Sequence, residues 1–204
     1  MFFREFLRHP LRTGAVAASS HGLADCLTDG IGLGDASLVV ELGPGTGAVT
    51  DALLARMRPG AHLVAIEVNP HLAAGLRGRL ARRAALVAAG AGAALPDARV
   101  DVDVVDGSAA DLSRLVPSGG VDAVVSGLPW AVMPVGVRRE ILDAVTGALT
   151  PGGWMTTFAY GHAAWMPTAR RFADELSDAF GTVERTRTVW RNLPPAFVYR
   201  AKTA

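Results

Sequence analysis

The sequence predicts an α/β fold: a doubly wound, mostly parallel seven-stranded sheet with an antiparallel C-terminal strand. Three observations carry this. Short apolar runs at residues 38–40, 62–68, 121–126 and 154–159 recur between longer helical stretches, the alternation that builds parallel sheets. Runs such as Leu38-Val39-Val40 are continuously apolar, as strands covered on both faces must be. The chain closes with residues 183–190 and 197–200, two stretches able to pair antiparallel across the turn Asn192-Leu193-Pro194-Pro195.

The remaining elements follow in order. Residues 48–57 form the helix after the first strand, and residues 70–83 the helix after the second, with Arg77, Arg79, Arg82 and Arg83 on its solvated side. Residues 84–95 read as a frayed helix end and a loop, interrupted by Gly90 and Gly92. Residues 100–105 alternate and give the third strand; residues 121–126 give the fourth. A helix over 137–149 stops at Pro151-Gly152-Gly153 before the fifth strand, 154–159, and a helix over 168–180 follows. Residues 1–30 read as an N-terminal helical segment and residues 31–204 as one ligand-binding domain.

Composition narrows the class. A chain of 204 residues, 50% hydrophobic, suits one soluble domain with a good core. The formal net charge of +1 supplies no field toward nucleic acid, so no nucleic-acid partner is expected. Cys26 is the single cysteine, which excludes an intrachain disulfide and fits a reducing cytoplasm. The five histidines are dispersed without ligand spacing, so no metal site is expected. No apolar run is long enough to cross a bilayer, and Arg4, Glu5, Arg8 and Arg12 break up any signal-peptide core.

The chemistry begins at Val40-Glu41-Leu42-Gly43-Pro44-Gly45-Thr46-Gly47. A strand, a glycine turn and a helix N-terminus let a ligand lie against the backbone. Glu67, about 20 residues further on, ends the second strand, where a carboxylate can take both ribose hydroxyls. An adenosine-containing cofactor follows. The spacing Gly43-x-Gly45-x-x-Ala48 also satisfies the dinucleotide fingerprint. Glu41 separates the two readings. A pyrophosphate wants a helix N-terminus, whereas the ammonium of S-adenosylmethionine (AdoMet) wants carboxylate and carbonyl acceptors. Glu-x-Gly-x-Gly-x-Gly resembles motif I of class I methyltransferases, and 204 residues leave little room for a dehydrogenase's substrate domain.

Later motifs extend the site. After the third strand, Asp106, Ser108 and Ala109 are candidates for the adenine edge, with Ser108 where related patterns carry an acid; Asp111 reads equally as the cap of the next helix. Val68 joins Glu67 beside the ribose. After the fourth strand, Ser126-Gly127-Leu128-Pro129-Trp130 occupies motif IV, with Ser126 and Leu128 toward the cofactor. Ribosomal RNA adenine dimethylases carry Asn-Leu-Pro there. Gly127 replaces that Asn, and no C-terminal helical domain is expected before Ala204, so an RNA substrate is disfavoured. Tyr160 and His162 follow the fifth strand as candidate proton acceptors. Trp130, Tyr160, Trp165 and Trp190 could face a methylated ammonium, although each taken singly reads more as a packed core aromatic than as part of a cage. Arg191 with Asn192, or Arg170 with Arg171, could hold a phosphate.

Four stretches together resemble the bacterial phospholipid N-methyltransferase family of Rossmann-like class I methyltransferases: residues 6–17, the glycine motif at 40–47, Ser126-Gly127-Leu128-Pro129, and Val189-Trp190-Arg191-Asn192-Leu193-Pro194-Pro195. The resemblance implies stepwise N-methylation of phosphatidylethanolamine toward phosphatidylcholine, with AdoMet as cofactor and S-adenosylhomocysteine as product. It also implies contact with the inner membrane face. Phe2, Phe3, Phe6, Leu7 and Leu11 recur at helical spacing among Arg4, Arg8 and Arg12, as an interfacial helix requires, so residues 1–12 are a candidate membrane-contact helix, or an amphipathic helix packed on the domain, within the segment 1–30 that is a candidate lid. Alternatives are a small-molecule N- or O-methyltransferase and an AdoMet-binding protein without catalysis.

Overall fold

The computed structural model describes residues 20–88 and 100–204. Seven strands form one sheet in the order β3-β2-β1-β4-β5-β7-β6. The strands are β1 (Leu38–Leu42), β2 (His62–Glu67), β3 (Asp101–Asp106), β4 (Val121–Ser126), β5 (Leu149–Tyr160), β6 (Thr182–Arg185) and β7 (Ala196–Lys202). β1 pairs in parallel with β2 and β4, β2 with β3, and β4 with β5. β7 is the antiparallel member, wedged between β5 and β6. The expected interfacial helix over residues 1–12 lies outside the described residues. No helix among the described residues is long and apolar enough to cross a membrane.

The continuous apolar runs are continuous because both faces are covered. Val39, Leu63 and Val125 point into one core with Leu23 and Leu27 of α1 (His21–Thr28) and Leu53 of α2 (Ala48–Leu54). Their neighbours Val40, Val64 and Val124 point into the other. That second core is closed by α4 (Leu112–Leu115), α5 (Val135–Ala148) and α6 (Pro167–Ala179). Successive side chains alternate between faces, so a parallel strand must be apolar at every position. β3 lies at the sheet edge and keeps the mixed pattern expected of it.

Several boundaries differ from the sequence expectation, each for a local reason. Pro151-Gly152-Gly153 lies inside β5 rather than ahead of it. Leu149 already pairs with Val121, the register shifts between Val121 and Ala123, and Gly152 at φ 72° carries the chain through that irregularity. The stretch 183–190 is not one strand: β6 stops at Arg185, and pairing resumes only at the Val189–Ala196 bridge. Helix α3 (Pro70–Ala88) runs further than expected, and its arginines are not simply solvated. Arg79 and Arg83 reach Asp51 of α2, and Arg77 donates to the Val104 carbonyl at 2.7 Å. Asp111 is not the side-chain cap after β3; the Ser108 hydroxyl accepts from the Ala110 N–H at 3.2 Å instead.

One buried ion pair fixes the half of the sheet beyond β4. Arg138 on α5 is 1% exposed and meets both oxygens of Glu175 on α6 at 2.8 Å. Its other nitrogen reaches the carbonyls of Trp130 and Met133 at 3.5 and 3.4 Å. Removing one partner of such a pair leaves a buried charge uncompensated. Arg138→Ala is therefore expected to lower unfolding free energy by about 3 kcal/mol in chemical denaturation, with Glu175→Ala losing a similar amount. An unchanged midpoint in either variant would contradict this role.

Candidate active site

The strand order reverses between β1 and β4, and open α/β sheets bind ligands in the crevice outside such a point. Here β1 ends at Leu42 and the chain turns through Gly43, Gly45 and Gly47, all at positive φ. The turn is tied on each side. Gly43 donates its N–H to the Ile66 carbonyl of β2 at 2.9 Å, and Gly127 donates to the Leu42 carbonyl at 2.8 Å. Gly45 is the open point: φ is 57°, and a Cβ placed there would meet nothing within 4 Å. A ligand can therefore approach the main chain at Gly45 without displacing protein atoms.

Two buried carboxylates flank this turn. Glu67, 6% exposed, accepts from the Gly45 N–H at 3.0 Å through Oε2 and from the Asn69 N–H at 2.9 Å through Oε1. The Val68 N–H also bonds this carboxylate, and since an ionised carboxylate has about four acceptor sites, Glu67 keeps acceptor capacity for a hydroxyl while holding the turn. Burial pushes its carboxyl above the ordinary range, against those N–H bonds, which pull it down. Glu41, 1% exposed, takes the Thr50 hydroxyl on Oε2 at 2.7 Å, while its buried Oε1 has no partner. Burial pushes the Glu41 carboxyl up to about 8; Thr50 and Arg79 oppose the shift, and Asp51 and Glu67 add to it. Once ionised by a nearby cation, the unpartnered Oε1 beside the glycine turn would be an acceptor suited to an ammonium.

The other expected cofactor residues stand at neighbouring strand ends. Asp106 is directly across from Glu67 in the β2–β3 register, and Gly107 donates to the Glu67 carbonyl at 3.0 Å. Ser108 caps the turn of Ala109 and Ala110, and Val68 is 41% exposed beside Glu67. Leu128 lies against Gly43, its Cδ2 3.0 Å from where a Cβ would stand. The Ser126 hydroxyl is occupied within the protein, accepting from the Trp130 indole N–H at 3.0 Å and the Leu128 N–H at 3.3 Å. It supports the motif IV loop.

The expected substrate residues divide. Tyr160 and His162 come together, their rings stacked with centroids 5.8 Å apart, Tyr160 half-buried and His162 exposed. Burial raises the Tyr160 phenol, which keeps it neutral and able to donate or accept a hydrogen bond. Trp130 corrects the expectation of an open aromatic face: it is 2% exposed and stacked 4.9 Å from Phe172. Asn192 corrects another. It is 4% exposed, accepts from the Ser20 N–H at 3.1 Å and donates to the Pro194 carbonyl at 2.7 Å, so both ends of its amide are engaged. Trp165 and Arg191 are exposed. Thr50, Asn69 and Arg79 escaped the sequence reading because a hydroxyl, an amide or a guanidinium on a helix carries no motif of its own. Among the described residues no group of His, Cys, Asp or Glu could hold a metal.

A methyltransferase-domain family matches residues 40–157, more than half of the chain. The chain belongs to this methyltransferase family. It is an AdoMet-dependent enzyme, and Glu41, Gly45 and Glu67 fit that cofactor: a free buried acceptor, an open backbone and a carboxylate at the end of β2. The chain is 31% identical to an ornithine lipid N-methyltransferase of Singulisphaera acidiphila, over 98% of its own length and 93% of the relative's. It is 30% identical to ribosomal RNA small subunit methyltransferase A of Cutibacterium acnes, over 80% of its own length and 56% of that protein's. Among solved structures, the 1,6-didemethyltoxoflavin-N1-methyltransferase of Burkholderia thailandensis shares the fold with a TM-score of 0.67 at 17% identity, over 100% of this chain and 85% of the other.

Two outcomes follow. Glu67→Ala should weaken AdoMet binding by about 10- to 100-fold in calorimetry, since it removes charge-assisted hydrogen bonds and frees the turn; unchanged affinity would exclude Glu67 from the site. Glu41 ionises near 4.5 in the unfolded chain and about 8 in the folded one, so the folded state holds the extra proton between those values and its stability falls as pH rises across that window. A cation placed beside Glu41 favours the carboxylate. Below about pH 8, AdoMet binding should then release a proton, giving heats that differ between buffers of different ionisation enthalpy. Glu41→Gln should abolish the difference. Equal heats in the unaltered protein would contradict the assignment.

Proposed function

We propose that this enzyme N-methylates the amine of a lipid headgroup. The observation that carries the reading is the match to the ornithine lipid N-methyltransferase along nearly the whole of both chains. Phosphatidylethanolamine, which the sequence motifs favour, is the first acceptor to test, and an ornithine lipid the second.

In this reading Glu41 receives the cofactor's ammonium, Glu67 the ribose hydroxyls, and Asp106 with Ser108 and Ala109 the adenine edge. Bound AdoMet supplies an electrophilic methyl group. The protein contributes position and a water-poor pocket. Backbone carbonyls after β4 orient the acceptor nitrogen, which must be unprotonated to attack. Neutral Tyr160 and its stacked partner His162 pass the departing proton toward solvent, and exposed Arg191 meets the charged part of the headgroup. Peripheral membrane contact through residues 1–12 belongs to the same reading.

The ribosomal RNA relative suggests a different acceptor, but Gly127 speaks against it. A Cβ at this position would lie 2.7 Å from the Gly43 carbonyl oxygen, so this backbone refuses the Asn that the adenine-methylating motif carries.

Methyl transfer from labelled AdoMet to mixed vesicles tests the proposal, with the lipids separated afterwards. Label is expected in methylated phosphatidylethanolamine or ornithine lipid, and Arg191→Ala should raise the KM for the lipid more than that for AdoMet. Label in neither lipid, with AdoMet binding intact, would overturn it.

A further inference from the structure

The three most exposed large apolar side chains among the described residues fall on two loops next to each other. Trp165, Trp190 and Leu193 are 77%, 78% and 81% exposed, and Met166 and Val132 are 46% and 57% exposed. All lie on the loops that follow β4 and β5 or precede β7. Because β7 is antiparallel, its entry sits beside the exit of β5: Tyr160 pairs with Ala196, and Gly161 donates its N–H to the Pro195 carbonyl at 2.8 Å. The loops carrying Trp165 and Trp190 are thus neighbours at the mouth of the substrate half of the site. The turn holding Trp190 and Leu193 is fixed from beneath by the buried Asn192 amide, so these side chains are presented outward by a rigid base. Arg191 directly follows Trp190, and Arg170 and Arg171 stand in the first turns of α6 after Trp165; all three are exposed, and none forms an ion pair among the described residues.

Tryptophan with aliphatic side chains, rimmed by unpaired arginine, is the composition of a surface that rests in the headgroup layer of an anionic membrane. We propose that this edge is a lipid-docking face separate from residues 1–12, with Trp165, Trp190 and Leu193 entering the interface and Arg170, Arg171 and Arg191 meeting anionic headgroups. The proposal rests on the lipid-acceptor reading and adds an orientation to it. The carboxyl ends of the strands face the membrane, and a headgroup amine reaches the site without the lipid leaving the bilayer.

The full chain is co-sedimented with phosphatidylcholine vesicles, with and without phosphatidylglycerol. The unaltered protein should partition to the anionic vesicles, and its tryptophan emission should be quenched by brominated lipid. The triple substitution Trp165→Ser, Trp190→Ser and Leu193→Ser should weaken partition by about 10-fold or more, while AdoMet binding by calorimetry is unchanged. Partition equal to that of the unaltered protein would overturn the face, as would absence of bromolipid quenching, a result that does not depend on the variant's folding. A change in oligomeric state without a change in partition would also overturn it, assigning the surface to a second copy. Docking with no lipid methylated would sink the acceptor reading and leave the face. Methylation by a variant that still partitions fully would sink the face and leave the reading.

Discussion

The structure depends on how closely β4's exit approaches β1's. Gly127 hands its N–H to the Leu42 carbonyl, and the space a Cβ would need is filled by the Gly43 oxygen. On the other side Gly43 binds β2, and Glu67 reaches across to the Gly45 N–H. The glycine turn is therefore held by protein contacts on each side, and its open flank is at Gly45. A preformed turn of this kind loses little conformational entropy on binding.

Two carboxylates are buried to achieve this, and burial opposes their charge. Glu67 is compensated by backbone N–H groups. Glu41 is compensated on one oxygen only, by Thr50. In the proposed reading the cofactor's ammonium would satisfy the remaining Glu41 oxygen in this low-dielectric place. The half of the sheet beyond β4 is held by a different device. Arg138 ties the Trp130–Met133 turn to α6 through Glu175, and Trp130 stacks on Phe172, so the motif IV loop and the loop leading into α6 share one foundation.

The cofactor half was legible in the sequence because its signals are local: a strand, a glycine turn and an acid about 20 residues on. The doubly wound alternation and the antiparallel closing strand were legible from apolar runs and the Pro-rich turn; the strand order itself was not. What was not legible depends on pairings between distant residues. Arg138 and Glu175 lie on different helices and neither carries a motif. Asn192 has the look of a ligand, yet its amide ties Ser20 to the Leu193-Pro194 turn. Trp130 sits in a functional motif but faces the core. Ser108 reads as a lost acid in sequence and acts as a local cap in the fold. In each case the residue type suggested chemistry, and the partner that decided its role was remote in the chain or hidden in the turn.

The proposed substrate side lies around β5 and β7, next to the proposed cofactor side at β1. The most direct test is a crystal structure with S-adenosylhomocysteine. The account predicts the nucleoside against Gly45, both ribose hydroxyls on Glu67 and the amine on the Glu41 side of the turn. A nucleoside bound away from the β1 turn, or with Glu67 still joined only to backbone N–H groups, would contradict it.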